Sequence, residues 1–359
     1  MKFSRRDRFR AVPGHAHGAA AGKRREPRGS VQILCLAGLC AVASELLAAY
    51  GDTTGDVAAV LFVLVIFMGL YGAPALLARE VVRRAGWGWP SLLLFFLALG
   101  IAQACLIDQS LFAEDYQGYE GWAEARRATF IPALSISAFN AYNFILGHVI
   151  YSFGAPVAIA EAWRPQRATK PWLGPFGLAV AIAAYLGTAL LIVLDPESHN
   201  ASGPQLATSS ILVLACLAAA WRVGQRNEPP ERGRTGRRAP SVGRVFGVTF
   251  ALVVAGTFAE ETWSGFALGM TTTALLAAFV WRSAGRPGWG LRHAAAVGIA
   301  YLVSRGLFAF TYFPLAGDVA PIPKYAHNVV MLAVVLVAAW TAVGRRRSLP
   351  GPMEGQAAP

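Results

Sequence analysis

The chain has 359 residues, 55% hydrophobic and 14% charged, with a formal net charge of +12. A soluble domain carries about 25% charged residues. Here the apolar residues fall in blocks of roughly twenty, the length that crosses a bilayer core as a helix, which excludes a soluble globule, a disordered chain and a disulfide-stapled secreted scaffold.

Residues 1–30 are polar and rich in Gly, Pro and Arg, and read as a disordered basic tail. Ten apolar blocks follow, at 31–50, 57–78, 91–111, 138–161, 173–194, 206–221, 245–261, 265–281, 294–315 and 326–343. The fold class expected is all-α, a polytopic transmembrane helical bundle of about ten spans. The apolar stretch 130–137 either extends the fourth span or lies at the interface. The basic segment 222–244 is a linker that divides the membrane domain into six spans (31–221) and four (245–343), and 344–359 reads as a second disordered tail.

Direction follows from the basic residues, since short cytoplasmic loops retain Lys and Arg. With both termini in the cytoplasm, 28 of the 32 Lys and Arg residues fall on the cytoplasmic side, including those of loops 79–90, 162–172, 222–244 and 282–293. Arg126, Arg127 and Lys324 alone fall in outer loops, while Arg305 lies inside a span. The outer loops are acidic, and the one at 112–129 adds Tyr116, Tyr119 and Trp122, which either cap an outward-facing cavity or anchor at the interface. The charge is thus a topological signal that implies the lipid bilayer, and no nucleic acid, as partner. Arginine outnumbers lysine 28 to 4, which with abundant Ala and Gly fits a high-GC bacterial source and its plasma membrane.

Cys35, Cys40, Cys105 and Cys216 lie in apolar blocks without C-x-x-C spacing and read as buried small residues. H-E-x-x-H, G-x-S-x-G and phosphate-loop motifs are absent from the sequence, so no metal or cofactor is expected.

Ionisable groups inside a span are costly and mark pairing or function. Glu45, His148, Glu260, Glu261 and Arg305, with the neutral Gln103, Asn140 and Asn143, form the candidate polar layer. At about 1.5 Å per residue, most of them share one depth in the outer half of the membrane. On the fourth span, Ser137, Asn140, Phe144, His148, Tyr151 and Ser152 fall on one helical face, and Pro156 beyond them predicts a kink. Arg305 stays protonated and requires an acidic partner, with Glu45, Glu260 and Glu261 as candidates. His148 reads as a packing residue, a proton relay or, with His327, a metal ligand.

Two stretches rhyme: VASELLAAYGDTTGD near the end of the first span and TFAEETWSGFALG at the seventh. They suggest parallel repeats of spans 1–4 and 7–10, with spans five and six inserted.

Residues 71–112 (YGAPALLAREVVRRAGWGWPSLLLFFLALGIAQACLIDQSLF) and 147–174 (GHVIYSFGAPVAIAEAWRPQRATKPWLG) resemble uncharacterised polytopic membrane proteins of high-GC, actinobacterial-type bacteria. A fainter similarity is to the CAAX-protease-like intramembrane metalloproteases, through Phe144 and His148 in an FxxxH motif and Glu260–Glu261 in place of an EExxxR motif. Gly265 stands where that motif has Arg, Met331 stands where Asn follows the later His, and the order along the chain differs. The reading is a plasma-membrane protein that handles a small polar or lipid-linked solute as a transporter or channel would. The alternatives are an intramembrane hydrolase and a non-catalytic scaffold.

Overall fold

A computed structural model describes residues 29–226 and 236–344. The two expected tails and the middle of the linker lie outside the described residues. The protein is an all-α polytopic bundle. Eight helices are long and apolar enough to cross a membrane: Val57–Arg84, Trp89–Ile107, Ala138–Trp163, Pro175–Val193, Gly203–Gln225, Trp263–Ala284, Leu291–Thr311 and Pro321–Gly344. Two shorter apolar helices, Ser30–Leu46 and Val242–Thr257, complete the series at the first and seventh positions. Each of the ten expected segments coincides with one of these helices, which are numbered here from first to tenth.

Side-chain size sets how closely the helices approach. A Cβ on Gly72 of the second helix would stand 2.6 Å from the Ala37 Cα of the first, and one on Gly298 of the ninth would stand 2.9 Å from the Ala155 Cα of the fourth. Any larger residue there would force the pairs apart. The second, third, fourth and ninth helices are about half buried, whereas the fifth and sixth, with no ionisable group in their apolar runs, are almost wholly exposed. These two sit at the periphery, the fifth against the second and the sixth against the third.

The first four helices share a departure from regular geometry. Each contains a π-helical turn: Val42–Leu46, Met68–Gly72, Gln103–Ile107 and His148–Gly154. Two of these turns end in a shared sequence, Tyr71-Gly-Ala-Pro74 and Phe153-Gly-Ala-Pro156. Proline has no N–H to donate to the carbonyl four residues back, and the π turn lies where that carbonyl is freed. The feature at Pro156 is therefore a π turn inside a continuous helix.

Four expectations are corrected. Residues 130–137 do not extend the fourth helix: Phe130–Ile131 and Ile136–Ser137 pair as a small antiparallel hairpin. Ser137 then caps the fourth helix, its hydroxyl accepting from the Asn140 N–H at 3.1 Å. The seventh helix stops at Thr257, so Glu260 and Glu261 lie in the connector beyond it and not inside a span. Glu45, by contrast, sits within a π turn, so the two halves of the suggested repeat differ at the residues that suggested it. Lys324 belongs to the first turn of the tenth helix and is fully buried, donating to the Ala309 carbonyl at 2.8 Å. It thereby caps the end of the ninth helix, where a cation is favoured.

The fourth correction concerns loops 79–90 and 162–172. The second helix runs on to Arg84 and the fourth to Trp163, which places Arg79, Glu80 and Glu161 in the interior with no exposed surface. Arg79 and Glu161 each stand five residues beyond the proline of the shared sequence. Two helices running in the same direction thus bring them to one level, where Arg79 Nε donates to Glu161 Oε1 at 3.0 Å. Arg83 grips the same carboxylate with two bonds of 2.8 Å. The remaining Arg79 nitrogens donate to the carbonyls of Arg167, Ala168 and Lys170, and its guanidinium lies 3.5 Å from the centre of the Trp172 ring. Glu80 in turn accepts from the Trp172 N–H at 2.5 Å and pairs with Arg84 at 3.3 Å. These arginines are still basic residues at the linker end of the bundle, but Arg79 and Arg83 hold a loop and two helices together.

Candidate functional site

At the opposite end the bundle opens into a cavity of about 890 Å³, within the size of small-molecule sites, roughly 300–1,000 Å³. All four π turns contribute to its wall: Ser44, Glu45 and Leu46 from the first, Leu70 and Tyr71 from the second, Gln103 from the third, and His148, Ile150, Tyr151 and Ser152 from the fourth. A π turn widens the helix and turns side chains out of the α register, and such turns recur at functional sites.

Six of the eight candidate residues line this one space: Glu45, Gln103, Asn143, His148, Glu261 and Arg305. Asn140 is buried outside it, and Glu260 is exposed on the connector. Of the polar stripe on the fourth helix, Phe144, His148, Tyr151 and Ser152 face the cavity, while Ser137 is spent on the helix cap.

Arg305 corrects the expectation of an ion pair. Among the described residues it forms no salt bridge. Its Nη2 donates to the Ser44 carbonyl at 3.0 Å, its guanidinium carbon stands 4.4 Å from the centre of the Tyr151 ring, and its Nε is buried without a hydrogen-bond partner. The Glu45 carboxylate is held by phenols. Tyr71 donates to it at 2.6 Å, and Tyr50 donates to its other oxygen. A cation and an anion thus share one cavity, each with neutral partners.

His148 bonds to the Ser152 hydroxyl at 3.0 Å through Nδ1 and stacks on Tyr71 at 5.6 Å between ring centres. His327 has both nitrogens engaged, Nε2 with the Leu46 carbonyl at 2.8 Å and Nδ1 with the Gly55 N–H at 3.4 Å. It therefore ties the tenth helix to the first. No group of three potential metal ligands occurs among the described residues, so the elements that resemble a metalloprotease are not gathered into one centre.

Sequence reasoning passed over several wall residues. Asp108 follows the third π turn directly, accepting from Gln103 Nε2 at 3.2 Å and from the Ser110 N–H at 2.9 Å. Eight of the ten tyrosines line the cavity: Tyr50, Tyr71, Tyr116, Tyr119, Tyr142, Tyr151, Tyr301 and Tyr312. Tyr116 and Tyr119 of the aromatic outer loop and Tyr151 of the fourth-helix stripe were expected there; Tyr50, Tyr71, Tyr142, Tyr301 and Tyr312 were not.

The loop over the cavity is built from aromatic contacts. Trp122, at the start of the short helix Trp122–Ala128, stacks on Tyr116 at 5.0 Å and on Phe144 of the fourth helix at 5.6 Å. Its indole N–H donates to the Ala113 carbonyl at 3.1 Å. Tyr119 packs edge-on against Tyr50 at 6.1 Å. Burial and the nearby Glu45 and Asp52 carboxylates push the Tyr119 phenol up to about 12, so it remains a neutral hydrogen-bonding group. Ala49 and Gln109, beside the wall, take left-handed backbone angles of 54° and 52°. Such angles cost of order 1 kcal/mol or more and need local compensation. Gln109 has it, its side-chain oxygen accepting from the N–H groups of Asn200 and Ala201 at 3.0 and 2.7 Å.

Acids outnumber cations in the lining. Glu45, Asp52, Asp108, Asp195 and Glu261 face Arg305 alone among the Lys and Arg residues. Asp52, Asp195 and Glu261 are exposed at the mouth, where water screens them. Glu45, Asp108 and Arg305 lie deeper. No family model, no curated protein and no solved structure matches the chain, so the geometry of the site stands alone.

Proposed function

We propose that this integral membrane protein is transporter-like, and that it admits a small polar solute bearing both a negative and a positive group from the outer face of a bacterial plasma membrane. The observation that carries the reading is Arg305: a permanent cation on a cavity wall, held by one backbone carbonyl and a tyrosine ring and, among the described residues, in no salt bridge with a carboxylate. The guanidinium fork is suited to a carboxylate or phosphate. Glu45 and Asp108 supply the opposite charge for an ammonium group. An anion alone would face the acidic mouth, a cation alone would face Arg305, and a solute with both charges satisfies the two.

The transporter reading is also supported by how the cavity ends. Below Tyr71 the space is filled by Phe96 and Phe153, stacked at 5.5 Å, and then by the Arg79–Glu161 cluster. A space open at one end and filled at the other is what an alternating-access reading requires, and it supports that reading. An intramembrane hydrolase would need a carboxylate within reach of His148, whose recorded partners are Ser152 and the Tyr71 ring. A scaffold would pack Arg305 in a dry interior.

The test is uptake by cells or proteoliposomes containing the protein, across a panel of labelled amino acids, betaines, carboxylates and sugar phosphates. Accumulation of one zwitterionic class, lost at least tenfold in R305Q while the variant remains folded, is the expected result. Equal accumulation by wild type and R305Q across the whole panel overturns the reading.

A further inference from the structure

A second polar space lies at the other end of the seventh helix, where Arg244 stands eight residues, or roughly 12 Å along the axis, from Leu252, the nearest cavity residue on that helix. It is a pocket of about 400 Å³ lined by Arg237, Arg238, Arg244 and Arg286, with Phe279 as its apolar wall. Among the described residues none of the four arginines forms an ion pair and no carboxylate lines the pocket. We propose that this pocket binds the phosphate of an anionic phospholipid headgroup in the leaflet opposite the cavity mouth.

The pocket is fixed in place. The Ala239 N–H donates to the Pro287 carbonyl at 2.9 Å, tying the linker to the connector after the eighth helix. His293 accepts from the Gly290 N–H through Nδ1 at 3.1 Å, so its Nε2 carries the proton and donates to the Pro240 carbonyl at 3.1 Å. Ser241 caps the seventh helix, whose N-terminal dipole adds to the positive field. Four like charges held together on anchored backbone repel one another, and a phosphodiester relieves that repulsion. Topology alone requires basic residues at this end of the bundle, but it does not require a pocket.

Apolar surroundings favour a lipid over free phosphate. Phe279 offers its ring to the glycerol and upper acyl region, and Trp281, exposed on the same helix, is the residue type that marks headgroup depth. Basic pockets between membrane helices bind anionic headgroups in this way.

The experiment measures lipid retention. The full-length protein is purified from membranes, exchanged into mixed micelles of phosphatidylglycerol and phosphatidylcholine, and examined by native mass spectrometry. Wild type should retain phosphatidylglycerol selectively. R244Q and R286Q should each weaken retention about fivefold, and the quadruple variant at all four arginines should abolish it. R222Q and R226Q, exposed at the same end of the sixth helix, should retain lipid as wild type does. If the quadruple variant does not fold, the two single variants decide the outcome. Equal retention by pocket and control variants overturns the proposal. So does a thermal shift with inorganic phosphate that phosphatidylglycerol fails to reproduce.

Discussion

The second and fourth helices each serve two polar regions, and the two regions treat arginine oppositely. At the linker end, Arg79 has every nitrogen engaged, by Glu161, by three loop carbonyls and by the face of Trp172. At the cavity end, Arg305 has one hydrogen bond to protein and a buried nitrogen with none. Both arginines are taken out of bulk water. Burial of a charge is repaid only when its donors are matched; every nitrogen of Arg79 is matched, whereas Arg305 keeps a buried Nε without a partner. Burial alone does not separate these two arginines; the number of their donors left unmatched does.

That contrast can be broken most severely at Glu161. Glu161→Leu strips the carboxylate from Arg79 and Arg83 together and should cost about 3–5 kcal/mol, read as loss of monodisperse protein in size-exclusion chromatography and a large fall in melting temperature. The variant E161L/R79M/R83M should recover most of that stability, because an apolar replacement of a whole buried cluster is close to neutral. If it recovers none, the cluster contributes more than charge matching.

The corresponding change in the cavity is expected to be milder. Arg305→Gln removes a charge-assisted bond and a ring contact, worth about 1–2 kcal/mol together. The protein should fold while solute-dependent stabilisation disappears. A loss of stability as large as that of E161L would show that Arg305 is structural after all. Tyr71→Phe, which removes one of two phenol donors to Glu45, should cost about 1 kcal/mol in the same melting assay, with Tyr50 still in place.

Labelling probes the difference with the least effect on stability. In a background without native cysteines, H148C should react with a membrane-impermeant thiol reagent, and V157C, fully buried below it, should not. Adding Trp122→Ala, which removes the stack on Phe144, should speed labelling at the first position and leave the second unreactive. Equal protection of both positions would mean that the loop seals the cavity.

Much of the fold was legible because lipid imposes a simple rule: a helix must cross apolar space with about twenty apolar residues. Each of the ten segments read from that rule falls on a helix, eight of them long enough to cross and the first and seventh shorter. Their ends did not, since a run such as Ala78-Arg79-Glu80 reads as the start of a loop unless the partner Glu161 is known, and that partner lies 82 positions away. The polar layer was legible in part. Glu45, Gln103, His148 and Arg305 stood out because apolar context makes any charge or amide conspicuous. Asp108 was hidden by its place at the end of an apolar run, and Tyr50, Tyr71, Tyr142, Tyr301 and Tyr312 by standing apart from any polar pattern, whereas Tyr116, Tyr119 and Tyr151 were legible. The pairing expected of Arg305 failed because a carbonyl and an aromatic face, which every sequence supplies in abundance, took the place of a carboxylate.

The π turns have one more consequence. Each residue advances a helix by about 100°, so the extra residue of a π turn resets which face the following segment presents. In the second helix, Tyr71 lies within the turn and Arg79 beyond it; in the fourth, His148 and Glu161 stand in the same relation. The turn acts as a clutch between two registers. Residues facing the cavity and residues facing the ionic cluster are thereby set in separate registers of one helix. Deleting one residue from either turn would force a single straight helix to choose between its two tasks.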